Sequence, residues 1–431
     1  MAVRPDTPGH DTPEQVRDGR GALVLHCAAV AVVLLGVGAQ LIRPLAPDLG
    51  PPPGPGGAFD SDFLDRARAY REPLYVAMAV ALGVRVAIAA FMAGTRRGRA
   101  LVARIVERIG AHRPARAGAA VVLAIVVATD VVLLPLVFWA RYVHDGNFGL
   151  RTQGVAGWFY DWLVAHVPVW VAVGLLAVAG YELARRRPAT WVPIGGLVAA
   201  VLGAVVAFGS PMVLEPLSYR FTPLAPGAVR NEVETVLAEA GEDVGAIVVA
   251  DASRRSIHQN AYISGLGTSE RVVLFDTLVE QRTPAEIGLV LAHELAHHRA
   301  RDVLRLVVFG AAGGITAAYV LSAVLRRRAR QGHQRTETDP YAAAVVVLVL
   351  VALNIASLPV QSLVSRRAEA AADLASLEYT GKPEVFWAMQ QGLTRANLTE
   401  PAPPAAATLW WGTHPTPMAR LRMARWWEQR Q

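Results

Sequence analysis

The sequence predicts a mostly helical, polytopic membrane bundle of about seven spans, with a smaller α+β region set between the fifth and the sixth. Three observations carry this. The 431-residue chain is 53% hydrophobic with a mean hydropathy of +0.33, too apolar for an ordinary soluble domain. The excess gathers into apolar runs of about 20 residues, the length a helix needs to cross the hydrocarbon core. A polar stretch, Ser210 to about Pro284, interrupts these runs and carries strand-like segments.

In chain order, residues 1–20 are polar and Pro-containing and are expected to be disordered. Gly21–Leu41 is the first span. The leader before it mixes Asp6, Asp11, Glu14 and Asp18 with Arg4, Arg17 and Arg20, and no small-residue cleavage site follows, so the run reads as a retained anchor. The Pro/Gly-rich stretch from Gly50 to Gly57 is a loop. Pro73–Ala93 and Gly118–Trp139 are the next two spans. Between them seven arginines surround an amphipathic pattern (Leu101, Val102, Ile105, Val106, Ile109), as in a helix lying on the membrane surface. Leu163–Tyr181 and Trp191–Gly209 complete a five-span N-terminal domain, 21–209, with the surface loop at 94–117.

Within 210–302, Asn231–Ala240 reads as a helix. Ala246–Ala250 and Arg271–Phe275 read as strands from their β-branched content and Gly or Asp borders, with Asn260–Gly265 as a third. The edge of such a sheet can hold an extended peptide by strand addition. Two further spans, Val303–Leu325 and Tyr341–Val364, fill 303–364, and 365–431 is a C-terminal catalytic segment.

Chemistry concentrates in His293-Glu294-Leu295-Ala296-His297, inside a helix-compatible run from Ile287 to Val303. Positions i and i+4 share a helix face, so the two imidazoles can hold one zinc ion while Glu294 acts as general base towards water at the metal. The flanks Leu289, Val290, Leu291, Ala292, Leu295 and Ala296 make this helix mostly apolar, and buried His and Glu need partners. The single cysteine, Cys27, lies in the first span, so any metal must be held by His and carboxylate. His298 lies about 100° round the helix and faces elsewhere.

A catalytic zinc takes a third protein ligand. Glu369 and Asp373, again i and i+4, follow the last span in an alanine-rich helix. One reading makes Glu369 the ligand, with Asp373 orienting a ligand histidine. The other leaves both acids paired with Arg366 and Arg367 on an exposed face. Further on, His414 is held between prolines and can steady an oxyanion, and Arg420 can fix the site or neutralise the two acids. Inside the spans, Arg85 and Asp130 are candidates to pair across neighbouring helices.

Five ordered stretches resemble the integral-membrane zinc metallopeptidases of the CAAX prenyl protease type I family. They are Phe148–Gln153 with Trp158–Trp162; Phe221–Leu224 through Arg254-Arg255-Ser256 and Asn260-Ala261-Tyr262; Val273–Leu278 leading into the HExxH helix; Ser365–Glu369 through Asp373; and His414-Pro415 with Arg420. Together they cover most of the chain from about residue 70. The resemblance implies a helix bundle enclosing a chamber, capped by a zincin-like α+β catalytic domain. It implies one zinc per chain on His293, His297 and Glu369, with Glu294 as catalytic base and acid and Asp373 in support. It also implies Asn260, Ala261 and Tyr262 at the substrate, and His414 and Arg420 near the transition state. Residues 1–20 and the Pro/Gly-rich loop have no counterpart in that pattern, and His298 stands where an aromatic residue is frequent. The arginine- and alanine-rich composition points to a bacterial source.

The expected activity is therefore zinc-dependent hydrolysis of peptide bonds by a multi-pass protein of the cell membrane, acting on a peptide or membrane-protein substrate. A broad-specificity quality-control protease is the alternative within that class, and a non-catalytic membrane receptor with a structural metal site is the alternative outside it. The net charge of +7, almost wholly arginine, belongs to cytoplasmic loops rather than to nucleic-acid binding. Arginines cluster in the second-to-third, fourth-to-fifth and sixth-to-seventh loops, which puts the catalytic side and the C-terminus outward. Nothing in the chain specifies an oligomeric state.

Overall fold

The computed structural model describes residues 13–41, 46–213, 215–242, 244–265 and 270–431. The N-terminal half is helical: α1 (Pro13–Leu41), α2 (Ser61–Gly94), α3 (Arg96–Ile109), α4 (Pro114–Phe138), one turn of α5 (Asp145–Asn147), α6 (Val155–Arg186), α7 (Trp191–Val213) and the short α8 (Glu215–Ser218). A sheet region follows, with β1 (Phe221–Pro223), α9 (Ala228–Ala240), β2 (Ala246–Ala250), β3 (Ala261–Ser264), β4 (Arg271–Phe275), α10 (Asp276–Gln281) and α11 (Pro284–Arg299). Then come α12 (Asp302–Arg330), α13 (Ala343–Thr380), α14 (Pro383–Ala396), α15 (Ala405–Trp411) and α16 (Pro417–Glu428). The first helix starts at Pro13, so residues 13–20 are helical rather than disordered; residues 1–12 lie outside the described residues.

Among the described residues, seven helices are long and apolar enough to cross a membrane, and they coincide with the seven expected runs. Their outward faces are apolar, as lipid requires: Leu34 and Leu175 are each 67% exposed. Lipid tails give no hydrophobic drive between helices, so close contact depends on small residues. A Cβ on Gly36 of α1 would come within 2.7 Å of Ala312 in α12, and one on Gly196 of α7 within 2.6 Å of Ile315. Asp130 does not pair with Arg85. Its Oδ2 accepts from Trp170 Nε1 of α6 at 2.8 Å, while Arg85 is exposed. The indole one helix away meets the acid's hydrogen-bonding need without a second charge.

The sheet runs β1-β2-β4-β3, with β2 and β4 parallel and both outer pairs antiparallel. β1 was not foreseen; its Pro223 fits an edge strand, where a missing N–H is tolerated. Val272, Val273 and Leu274 of β4 and Ile287, Leu291 and Leu295 of α11 share one buried core. That core fixes one side of α11 against the sheet, and Leu289 on another side packs with Leu377 and Phe386. The HExxH helix is therefore held from two directions.

Candidate metal centre

α11 is locally well specified. Thr283 caps it, accepting from Glu286 N while the Glu286 carboxylate accepts from Thr283 N, and Pro284 occupies the first turn. The helix carries His293 and His297 one turn apart. Against it lies the C-terminal half of α13, where Ala368 and Ala372 are small enough for close approach and Glu369 and Asp373 face the imidazoles. The two Nε2 atoms stand 3.1 Å apart, with Glu369 Oε2 3.3 Å from that of His293 and Oε1 3.5 Å from that of His297. His297 Nδ1 bonds Asp302 Oδ2 at 2.7 Å. Asp373 Oδ1 lies 3.0 Å from His293 Nδ1, an ion-pair contact outside hydrogen-bond alignment.

These distances test whether a metal fits. With both Nδ1 atoms turned to carboxylates, the Nε2 lone pairs point at each other and at a carboxylate. Glu369 Oε2 is buried without a hydrogen-bond donor. Three electron-rich atoms in mutual contact need positive charge among them, supplied either by protons on the imidazoles or by a metal ion that displaces those protons. Donors about 2.0–2.1 Å from a tetrahedral zinc sit about 3.3 Å apart, which matches the observed spacings. Among the described residues this is the one cluster with metal-binding spacing.

The surroundings are acidic and buried. Burial alone would lower the imidazoles. The carboxylates of Asp373 and Glu369 hold His293 up at about 9, and those of Asp302 and Glu369 hold His297 up at about 10. This is an environment built to receive positive charge. Burial pushes the Glu294 carboxyl up from its ordinary value, with the two imidazoles pulling the other way. Among the described residues Glu294 makes no hydrogen bond or ion pair.

The C-terminal segment closes one side. Arg420 grips Asp373 with two hydrogen bonds, Nε to Oδ2 at 2.8 Å and Nη2 to Oδ1 at 2.5 Å. Its charge is thus directed at the acid behind His293, a positioning arrangement. His414 Nε2 lies 3.3 Å from Glu369 Oε2, and its side chain remains 58% exposed. Arg366 does not pair with Glu369 or Asp373; its Nη1 donates to the carbonyls of Thr408 and Gly412, pinning the loop that carries His414. His298 points away, with Glu270 and Glu242 3.7 and 3.9 Å from its Nε2.

A cavity of about 450 Å³ opens beside the centre, lined by Asn260, Gln390, Glu400, His414 and Arg420. Ala261 is buried in β3, and Tyr262 packs edge-on against Phe275 rather than on this cavity. A second space of about 990 Å³ lies among α1, α12 and α13 and shares Met78, Trp411 and Thr413 with the first. Asp302 was missed in the sequence. It is the next acid after Glu294, placed by a turn in which Arg301 adopts φ of +52°.

A seven-span bundle carrying an HExxH helix and a distant carboxylate at metal-binding distance defines a multi-pass membrane metallopeptidase. The model of peptidase family M48 matches residues 223–428. The uncharacterized metalloprotease YhfN of Bacillus subtilis is 26% identical over 304 residues, 69% of this chain and 70% of that one. CAAX prenyl protease 1 of Saccharomyces cerevisiae is 30% identical over 180 residues, 41% of this chain and 39% of that one. The alignment with the yeast enzyme thus spans well under half of it. The crystal structure of S. mikatae Ste24p superposes with a TM-score of 0.70 at 20% identity, covering 94% of this chain and 98% of that one, and shows the shared fold. These likenesses support a membrane metallopeptidase that resembles the CAAX prenyl proteases. The metalloprotease relatives do not favour the receptor reading.

Proposed function

We propose that the metal is a single zinc ion held by His293, His297 and Glu369, and that the protein is an endopeptidase of the cell membrane. The observation that supports this most is the convergence of two imidazole nitrogens and an undonated carboxylate oxygen within 3.5 Å. When bound, zinc supplies a Lewis acid that polarises the scissile carbonyl and acidifies water.

The chain's own groups do the rest. Glu294 takes a proton from the attacking water and delivers it to the leaving amine, a task suited to a buried carboxyl raised above its ordinary value and free of partners. Asp302 holds His297 by a hydrogen bond in the tautomer that presents Nε2, and the charge of Asp373 beside His293 Nδ1 favours the same tautomer there. Arg420 keeps Asp373 ionised and in place. His414, on a pinned loop at the mouth of the cavity, donates to the oxyanion that forms at the attacked carbonyl.

The substrate we propose is an extended peptide segment reaching the centre along the outer edge of β3. Asn260 O accepts from Phe275 N of β4. Strand alternation then turns the backbone groups of Ala261 outward, where a peptide can pair with them. The loops rich in arginine lie at the end of the bundle opposite the sheet, which favours a cytoplasmic position for them and an outward-facing catalytic end.

The test is cleavage of an unfolded peptide by the purified full chain in lipid nanodiscs. Activity should disappear on chelation and return with stoichiometric zinc. Cleavage that persists in the metal-free protein would overturn the proposal.

A further inference from the structure

At the opposite end of the bundle from the catalytic centre, α3 joins the end of α2 to the start of α4. It is anchored by a tight corner: a Cβ on Gly98 would lie 2.1 Å from Phe91 O, so only glycine fits. Val102 and Val106 are buried, on a face packed with Ala117, Val121 and Ile125 of α4, and Arg96, Arg97, Arg99, Arg104 and Arg108 are exposed. Because α2 and α4 are both membrane spans, α3 lies at the membrane boundary.

Between the three helices is a groove of about 380 Å³, at the lower end of ligand-pocket sizes. Its floor is apolar, made by Ile88 and Met92 of α2 and Ala124 and Ala128 of α4, all on membrane-spanning segments. Its rim carries Arg104 and Arg108, which at i and i+4 lie on one side of α3. Among the described residues neither arginine has an acidic partner. Leu101 and Ile109 on the same helix are 41% and 38% exposed. An apolar trough in the hydrocarbon region, ending at two unpaired guanidinium groups at headgroup level, matches one kind of molecule.

We propose that this groove binds an anionic glycerophospholipid, with an acyl chain along the floor and the phosphodiester between Arg104 and Arg108. The charge complementarity is specific: a zwitterionic headgroup would set its own cation against the two arginines, and the apolar floor on membrane-spanning segments fits an acyl chain. Basic pockets between spans on a membrane boundary bind anionic headgroups by this arrangement. Arginine supplies a planar donor fork that matches phosphate oxygens.

The experiment is native mass spectrometry of the full chain purified in neutral detergent, titrated with dioleoyl phosphatidylglycerol or dioleoyl phosphatidylcholine. Phosphatidylglycerol should be retained in preference. The Arg104→Ser/Arg108→Ser double variant should lose about twenty-five-fold in that preference, about fivefold per arginine. Ala124→Trp, which fills the groove and leaves the charges intact, should also abolish retention. Peptidase activity in both variants should stay at the wild-type level, since neither position is in the catalytic centre, and this confirms that they fold. Equal retention of the two lipids overturns the proposal. So does full preference in the double variant, displacement of the lipid by an equal concentration of inorganic phosphate, or dimer formation in place of lipid binding.

Discussion

The two halves of α13 obey opposite rules. From Ala343 to about Val364 the helix is a membrane span whose side chains Leu350 and Val360 are 42% and 52% exposed, because lipid is their solvent. From Glu369 onward the same helix buries charge: Asp373 is fully buried, and it meets His293 and Arg420. In the first half hydrocarbon burial cannot drive association, so small residues and shape decide contacts. In the second, each buried charge is stable only because an opposite charge or a metal site faces it. The difference teaches where function must lie, and it sets the order in which mutations should hurt.

The largest effect short of removing the base should come from a ligand. His297→Ala should abolish metal retention and activity while the seven spans remain folded, measured by metal analysis and circular dichroism. A variant that keeps both its metal and its turnover would erase the contrast between the halves. Next comes the acid behind a ligand: Asp302→Asn keeps the size of the side chain but weakens the hold on His297, and metal affinity should fall about 10–100-fold in a chelator competition. Unchanged affinity would make Asp302 merely structural. Asn260→Ala, at the cavity wall, should lower kcat/KM about tenfold with metal content intact, measured on an unfolded peptide. The smallest effect belongs to the membrane half. Trp170→Phe removes the indole donor from Asp130 and should lower stability by only about 0.6 kcal/mol. A loss of several kcal/mol there would show that the bundle, too, depends on buried polar pairs.

Legibility in the sequence follows the same division. Hydropathy marks the spans because lipid imposes one length and one composition on each of them. The strands Ala246–Ala250 and Arg271–Phe275 lie where β-branched runs indicate, since they form the inner pair of the sheet. The HExxH spacing needs only one helix to be read. Asp302 and Arg366 were out of reach because their partners depend on tertiary placement. The Arg301 turn folds Asp302 back onto His297, and Arg366 reaches two carbonyls more than forty residues away. Asp130 went to a neutral indole rather than to Arg85 for the same reason: an aqueous pairing rule does not choose between donors inside a bundle.

The central claim is that His293, His297 and Glu369 hold one metal ion while Glu294 moves the proton. The most direct measurement pairs metal content with turnover in purified wild type and Glu294→Gln. The account predicts about one zinc per chain in both, with peptide cleavage in the variant reduced at least about a thousandfold, since the ligands are untouched and only the base is lost. A Glu294→Gln protein that cleaves at the wild-type rate, or an active wild type that carries no metal, would contradict it.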